Sequence, residues 1–293
     1  MTGQPQIGLF AQTACLWEAT ARKVGNVHRY EDFADTTFLD FALSAATIGD
    51  PMTRACHTPL GTTILSAIEA RTRVTRTNTN LGIVLLLAPL ASVPIGEDLR
   101  EGVRKVLAST TVADSEATFD AIRKANPGGL GKAPEQDVAV SPTLTLKQIM
   151  TLAAQRDAIA NQYATDFADL FDFGLPTFLD AFENHGGVEA AIIDCQFRWL
   201  ARMPDSLIVR KCGSTTAESI RRRAEEILQR GGLKVDEGRR AGVEFDRYLR
   251  SNGTRLNPGT TADLITASLF IALRENKVTP HSPFVWNTCG WLG

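Results

Sequence analysis

Apolar residues recur at helical rather than alternating spacing through most of the chain, which makes helix the default state. The stripe begins with Leu16, Ala19 and Ala21 and resumes at Phe38, Phe41, Ala42, Ala45 and Ile48. Thr63–Arg73 places Ile64, Ala67 and Ile68 on one face, and the pattern from Leu146 to Phe173 runs on through Ile149, Leu152, Ala153, Ile159, Ala160, Tyr163, Phe167 and Leu170. Ala217–Arg230 carries Ile220, Ala224, Ile227 and Leu228 as a stripe, sets Glu218 four residues before Arg222, and stops at Gly231-Gly232. A last long helix is predicted from about Ala262 to Glu275, capped by Thr260 or Thr261. The most apolar run, Leu81–Ile95, is too short to cross a bilayer and is interrupted by Pro89 and Pro94, so it predicts a buried core helix.

The pattern therefore predicts an all-α fold. Its one long irregular stretch, Lys124–Ser141, is rich in Gly and Pro and reads as a loop or mobile cover over about 124–141. That loop could divide the chain, but the polar motifs on its two sides look like parts of one site. We therefore expect residues 1–293 to form a single multi-helix domain whose polar motifs, at helix ends, line one pocket.

Composition narrows the function. The 293 residues suffice for a substantial core, and 31 Lys and Arg against 33 Asp and Glu leave a formal charge of only −2. No global field favours nucleic acid or an anionic membrane, so any phosphate binding must be local. Five scattered cysteines without C-x-x-C spacing indicate neither a disulfide framework nor a zinc site, which fits a reducing, cytoplasmic location. The N-terminus lacks the basic segment of a signal peptide.

Five polar islands interrupt the apolar pattern. The first joins Glu18 to Lys23-Val24-Gly25-Asn26-Val27-His28-Arg29, where Lys23 and Arg29 can hold phosphates or simply solvate a turn. The second, Arg76-Thr77-Asn78-Thr79-Asn80-Leu81-Gly82, precedes the most apolar helix. Its free N–H groups can bind an anion and its Asn amides a ribose hydroxyl, although plain N-capping by Asn78, Thr79 or Asn80 explains it as well. In the third, Arg156-Asp157 lies on a helix, and Asp166 and Asp169 share a helical face that could present two carboxylates to a divalent cation or to solvent. The fourth sets Asp205 against Arg210-Lys211-Cys212, as a buried ion pair or as site groups. In the fifth, Asn257-Pro258-Gly259 feeds a helix with Asp263 in its first turn, where the helix dipole alone would favour an acid.

In this order the islands resemble those of the triphosphoribosyl-dephospho-CoA synthase family, over nearly the whole chain from Glu18 to Phe270. Lys23, Gly25, Val27 and Arg29 stand in a K-P-G-x-V-x-R segment, with Val24 in place of the proline. Asn78, Thr79 and Gly82 match a V-N-T-H-K-G segment, in which Asn80 and Leu81 replace the family's His and Lys. Pro258, Gly259, Ala262, Asp263 and Leu264 match S-P-G-G-S-A-D-L, the most specific of the three. Where the synthases have D-T-N and then R-G-G, this chain has Asp205 and then Arg210-Lys211-Cys212-Gly213, and Lys211 can make up for the missing Lys. The pattern is that of a divergent branch.

The resemblance implies an all-α fold and transfer of the triphosphoribosyl group of ATP to a ribose hydroxyl of dephospho-CoA, or of a related cofactor precursor, with release of adenine. Glu18, Asp205 and Asp263 are then the candidate catalytic carboxylates. Lys23, Asn26, His28, Arg29, Asn78, Thr79, Asn80, Arg210, Lys211 and Asn257 are candidates for holding phosphate and nucleotide. Mg²⁺ is expected with ATP, with no metal ligand assigned. A homo-oligomer is allowed, and neither nucleic acid nor membrane is expected as a partner. Three alternatives stay open: another acceptor in pterin-type cofactor biosynthesis, a nucleotide N-glycosidic hydrolase, or a nucleotide-binding protein without turnover.

Overall fold

The structure, a computed structural model, describes residues 5–128, 131, 135–285 and 291. Among them the chain forms α1 (Pro5–Thr20), α2 (Phe38–Arg54), α3 (Leu60–Thr72), α4 (Leu81–Ala91), α5 (Leu99–Ala108), α6 (Val112–Ala125) and α7 (Leu146–Ala153). There follow α8 (Ala158–Ala164), α9 (Leu175–His185), α10 (Val188–Arg202), α11 (Ser206–Cys212), α12 (Ser214–Gln229), α13 (Asp236–Arg250) and α14 (Gly259–Arg274). The only β pairing among the described residues is two isolated bridges, His28 with Glu31 and Phe33 with Thr36. The all-α expectation holds.

Local chemistry sets several boundaries. Thr111 with Asp114 and Thr145 with Gln148 form capping boxes that start α6 and α7. Leu81–Ile95 does not remain helical to its end: α4 stops at Ala91, and Ile95 is 48% exposed. Pro89 lies inside α4 without an N–H for the carbonyl of Leu85, and the Tyr163 hydroxyl donates to that carbonyl at 2.6 Å instead.

The Leu146–Phe173 pattern is broken twice. The chain leaves the helix at 154–157, so Arg156 is in a turn and Asp157 is the N-cap of α8, accepting from the backbone N–H of Ile159 and Ala160. It leaves again at Asp166 and Phe167, which adopt left-handed φ of 53° and 64°, before a π-helical turn at Leu170–Gly174. Asp166 and Asp169 therefore do not share a helical face. Asp166 pairs with Lys147, and Asp169 with Arg202, so no cation site forms between them.

The loop predicted over 124–141 begins at Asn126, since α6 continues through Ala125. Of that loop, Gly129, Leu130, Lys132, Ala133 and Pro134 lie outside the described residues, as does Cys289.

Two apolar clusters organise the helices. In the first, α4 and α14 are buried almost all round and are enclosed by α1, α2, α3, α9 and their neighbours. The second gathers α11, α12 and α13 around Phe197 and Trp291. Helix α10 is the shared wall: Ile192, Cys195 and Trp199 enter the first cluster, and Ile193, Phe197 and Leu200 enter the second. The polar islands meet along the seam. No helix among the described residues is long and apolar enough to cross a membrane.

Candidate active site

A cavity of about 770 Å³ opens where the N-terminal ends of α4, α8, α11 and α14 meet the C-terminal end of α1. Its polar wall includes Glu18, Asn26, Asn78, Thr79, Asn80, Asp157, Arg210, Lys211, Asn257 and Asp263. Nine of the thirteen residues singled out in the sequence thus share one space.

The turn after α1 is fastened from behind. Buried Glu189 on α10 pairs with Arg22 at 3.0 Å and with Arg29 at 2.9 Å. Gln196, also on α10, accepts from Val24 N–H at 2.9 Å and donates to the carbonyl of Val24 and to Asn26 Oδ1, both at 2.8 Å. Gly25 takes φ 67°, gives its N–H to Asp246 at 2.7 Å, and packs where a Cβ would come within 2.7 Å of Leu249. These contacts deliver the Asn26 amide to the cavity, where its Nδ2 donates to Asn257 Oδ1 at 2.5 Å.

Glu18 and Lys23 form a buried ion pair at 2.9 Å, and the Lys23 ammonium also donates to the Glu18 carbonyl. Burial pushes the Glu18 carboxyl up, with Lys23 opposing, and burial pushes the Lys23 ammonium down, with Glu18 opposing. Lys23 itself does not line the cavity and is fully buried, so its charge serves Glu18 rather than a phosphate. Arg29 is likewise spent on Glu189 and lies off the cavity wall. His28 is buried behind the same turn, where burial and the neighbouring cations Lys23, Arg250, Arg22 and Arg29 push its imidazole down to about 3. It is neutral at physiological pH and does not face the cavity.

Asp205 is also absent from the cavity wall. One of its oxygens caps α11 through Leu207 and Ile208 N–H, and the other accepts from the N–H and hydroxyl of Thr261 at 2.7 and 2.8 Å. The first turn of α14 is therefore held by an acid from another helix. Its N-cap is Pro258, and neither Thr260 nor Thr261 caps it.

The site's most exceptional group is Asp263. Its carboxylate makes no hydrogen bond among the described residues, and it lies so close to α4 that a Cβ on Gly82 would collide with its Oδ2. Burial, and then the negative charges of Glu18, Asp205 and Asp157, push its pKa well above the usual carboxylate value of 3.8. The two carboxylates of the cavity floor thus sit in opposite surroundings: Glu18 is charge-balanced by a buried ammonium, and Asp263 is surrounded by acids.

The loop before α4 is held by Arg71, which is buried and donates to the Thr77 carbonyl at 2.9 Å. In a trans peptide the C=O and the following N–H point opposite ways, so the Asn78 N–H is turned away from Arg71. Asn78 Oδ1 accepts the Leu81 N–H at 3.2 Å and so performs the capping expected of one of the three. Asn80 occupies the N-cap position without a side-chain cap, and its buried Oδ1 has no partner.

The cations at the rim are of two kinds. Arg210 is paired with Asp157, and Lys211 donates to the Thr254 carbonyl at 3.0 Å, its pKa lowered by burial. Arg76 and Arg156 also line the cavity and make no ion pair among the described residues. Both stand in the sequence islands but escape selection there, because the sequence does not show which cations the fold leaves without an acid. Asp157 was missed as a cavity residue for the same reason. Cys212 packs partly against the second cluster, with Sγ 3.5 Å from the Arg255 carbonyl.

Fold and site together define an all-α protein with a nucleotide-sized cavity, charged groups on one wall, at converging helix ends. A family model described as CitG, ATP:dephospho-CoA triphosphoribosyl transferase, matches residues 4–281. The chain belongs to that family. A protein of Pseudomonas savastanoi pv. phaseolicola (strain 1448A / Race 6), named a probable 2-(5''-triphosphoribosyl)-3'-dephosphocoenzyme-A synthase, is 24% identical over 151 residues. That match takes in 47% of this chain and 51% of the relative, so the chain spans about half the length of the curated relative it matches. The chain is also similar to a crystal structure from Archaeoglobus fulgidus described as that of a putative triphosphoribosyl-dephospho-CoA synthase. There the TM-score is 0.62 at 26% identity, covering 79% of this chain and 97% of that one.

Proposed function

We propose that this protein transfers the triphosphoribosyl group of ATP to a ribose hydroxyl of dephospho-CoA, or of a close relative, and releases adenine. Family membership supports the reaction, and the single observation that carries its placement is the pair of unlike carboxylates, Glu18 and Asp263, on the floor of one cavity. In this reaction the bond from the ribose anomeric carbon to adenine breaks and a bond to the acceptor oxygen forms. One proton must leave the hydroxyl and one must reach the adenine. Asp263, whose carboxyl is pushed up by burial and by the neighbouring acids, is suited to give the proton to the leaving base, and Glu18, where the Lys23 ammonium opposes the effect of burial, is suited to receive that of the hydroxyl. The unpaired Arg76 and Arg156, with Lys211, supply positive charge for the triphosphate.

Among the described residues no group of three or more His, Cys, Asp or Glu side chains is arranged to hold a metal ion. Magnesium is expected to enter on the phosphates of ATP, with no protein ligand assigned. The chain acts as one helical body in this proposal, since both apolar clusters contribute to the cavity.

Incubation with magnesium-ATP and dephospho-CoA, following adenine by chromatography, tests the assignment. Adenine released only with the acceptor is the expected outcome. Release without acceptor would instead identify a hydrolase, nucleotide binding without release a non-catalytic protein, and release only with a pterin-type acceptor a changed acceptor.

A further inference from the structure

Three side-chain amides behind and beside the cavity form a chain whose polarity is fixed from one end. Gln196, fully buried on α10, meets both polar groups of the Val24 backbone, accepting its N–H at 2.9 Å and donating to its C=O at 2.8 Å. An N–H can face only an acceptor and a C=O only a donor, so this amide has a single allowed orientation. The second hydrogen of Nε2 then points at Asn26, which must answer with Oδ1, at 2.8 Å. With Oδ1 held there, Asn26 turns Nδ2 toward Asn257, and Asn257 must in turn offer its own Oδ1, at 2.5 Å. The Asn26 main chain cannot yield, because Asp246 holds the Gly25 N–H and Arg250 donates to the Asn26 carbonyl.

What the chain leaves over is the NH2 of Asn257. Asn257 is half-buried and lines the cavity. Its Nδ2 makes no hydrogen bond among the described residues, yet it is not one of their sealed polar atoms, so a ligand can reach it. Lys211 stands beside it: the ammonium and the Asn257 backbone N–H converge on the Thr254 carbonyl, at 3.0 and 3.4 Å. An amide NH2 next to an ammonium suits an anionic oxygen. An unsupported asparagine would present its carbonyl to that oxygen as readily as its NH2, and the carbonyl would repel it.

We propose that Gln196 is a positioning residue: acting through Asn26, it locks Asn257 with its NH2 turned into the cavity as a dedicated donor to a phosphate oxygen of the bound substrate. This rests on the transferase function proposed above for the identity of that substrate, and on the hydrogen-bond polarity alone for the relay.

Calorimetry with magnesium-ATP and with inorganic triphosphate reads the contact apart from turnover. Asn257→Asp keeps an oxygen for Asn26 but replaces the outward NH2 by an anionic oxygen, and it weakens both ligands about tenfold or more. Gln196→Glu has one hydrogen for two acceptors, so Asn26 and then Asn257 turn round. Magnesium-ATP then binds about tenfold more weakly, whereas in an Asn257→Ala background the same change has an effect of less than about twofold. A glutamine that only held the fold together would weaken binding equally in both backgrounds. Asn26→Asp, nearer the cavity than Gln196, is coupled to Asn257 in the same way and carries the test if thermal melts show the Gln196 variant unfolded. Equal effects in the two backgrounds would overturn the relay. Triphosphate affinity unchanged in Asn257→Asp would overturn the phosphate contact. Coupling without any adenine release would leave the relay standing and overturn the proposed reaction, and adenine release with additive effects would do the reverse.

Discussion

Asp263 and Glu18 are both acids on one cavity floor, and what separates them is the company each keeps. Asp263 has a raised pKa in the folded protein, so between its ordinary value of 3.8 and that raised value the folded state holds a proton the unfolded chain has lost. Stability contributed by the protonated group is present below pH 3.8 and is lost as the pH climbs through the folded value. Asp263→Asn removes the ionisation with almost no change of shape. Its melting temperature is expected to exceed that of the wild type at pH 7 and to converge with it toward pH 4, measured by thermal melts across that range. Its turnover is expected to fall by about 10²–10⁴, the usual contribution of a general acid. A melting temperature lowered equally at every pH would show that the carboxylate is held by partners and is not isolated. Burial pushes Glu18 up as well, but this acid has a buried cation beside it. Glu18→Gln leaves the fully buried Lys23 ammonium without its counter-charge, a change that costs about 3–5 kcal/mol. Adding Lys23→Met should recover most of that stability, but not activity. Urea titrations of the single and double variants separate stability from chemistry.

At the scale of elements, helix ends decide where these side chains go. Asp205 caps α11 with one oxygen and ties down the first turn of α14 with the other, so it fixes the start of the helix that carries Asp263. Asp205→Ala should cost roughly 2–3 kcal/mol, one capping contribution for each helix plus unpaired donors, whereas Asp205→Asn retains a good capping group and should cost less than half as much. Chemical denaturation of the two variants checks the ordering; equal losses would mean that the charge matters and not the cap. The sequence placed Asp205 among the catalytic acids because an acid flanked by apolar residues reads the same whether it faces a ligand or another helix. The helices themselves were legible: the Ile220, Ala224, Ile227 stripe is buried in α12 as its spacing predicts. The breaks within Leu146–Phe173 were not, since the apolar pattern continues across them while Asp166 and Phe167 turn left-handed, a backbone choice that leaves no mark in polarity. The site was half legible for a related reason. Short-range order put Glu18, Asn26, Asn78 and Asp263 in islands, but which of Lys23, Arg29, Arg76 and Arg156 would find an acid depends on how the local turn folds Lys23 back onto Glu18 and on Glu189, brought up by the tertiary fold.

For the molecule as a whole, the cavity's position between two apolar clusters matters more than its volume. The α4 end and the 76–80 loop belong to the first cluster, whereas Arg210, Lys211 and Asn257 border the second, and α10 is buried by both. A triphosphate bridging Arg76 and Arg156 to Lys211 would add contacts across the seam that the free protein lacks. Anything that binds the folded state stabilises it in proportion to the logarithm of ligand saturation, and the gain is felt wherever opening breaks a ligand contact. Magnesium-ATP is therefore expected to slow amide exchange in two separated stretches at once, 76–83 and 205–212, and to leave α5, which supplies no residue to the cavity, unchanged. Hydrogen exchange with mass spectrometry at saturating nucleotide measures this directly. Protection confined to 76–83 would place the phosphates on the first cluster alone and remove Lys211 from the triphosphate site. Protection of both stretches in wild type but only one in Arg156→Ala would identify that arginine as the bridge.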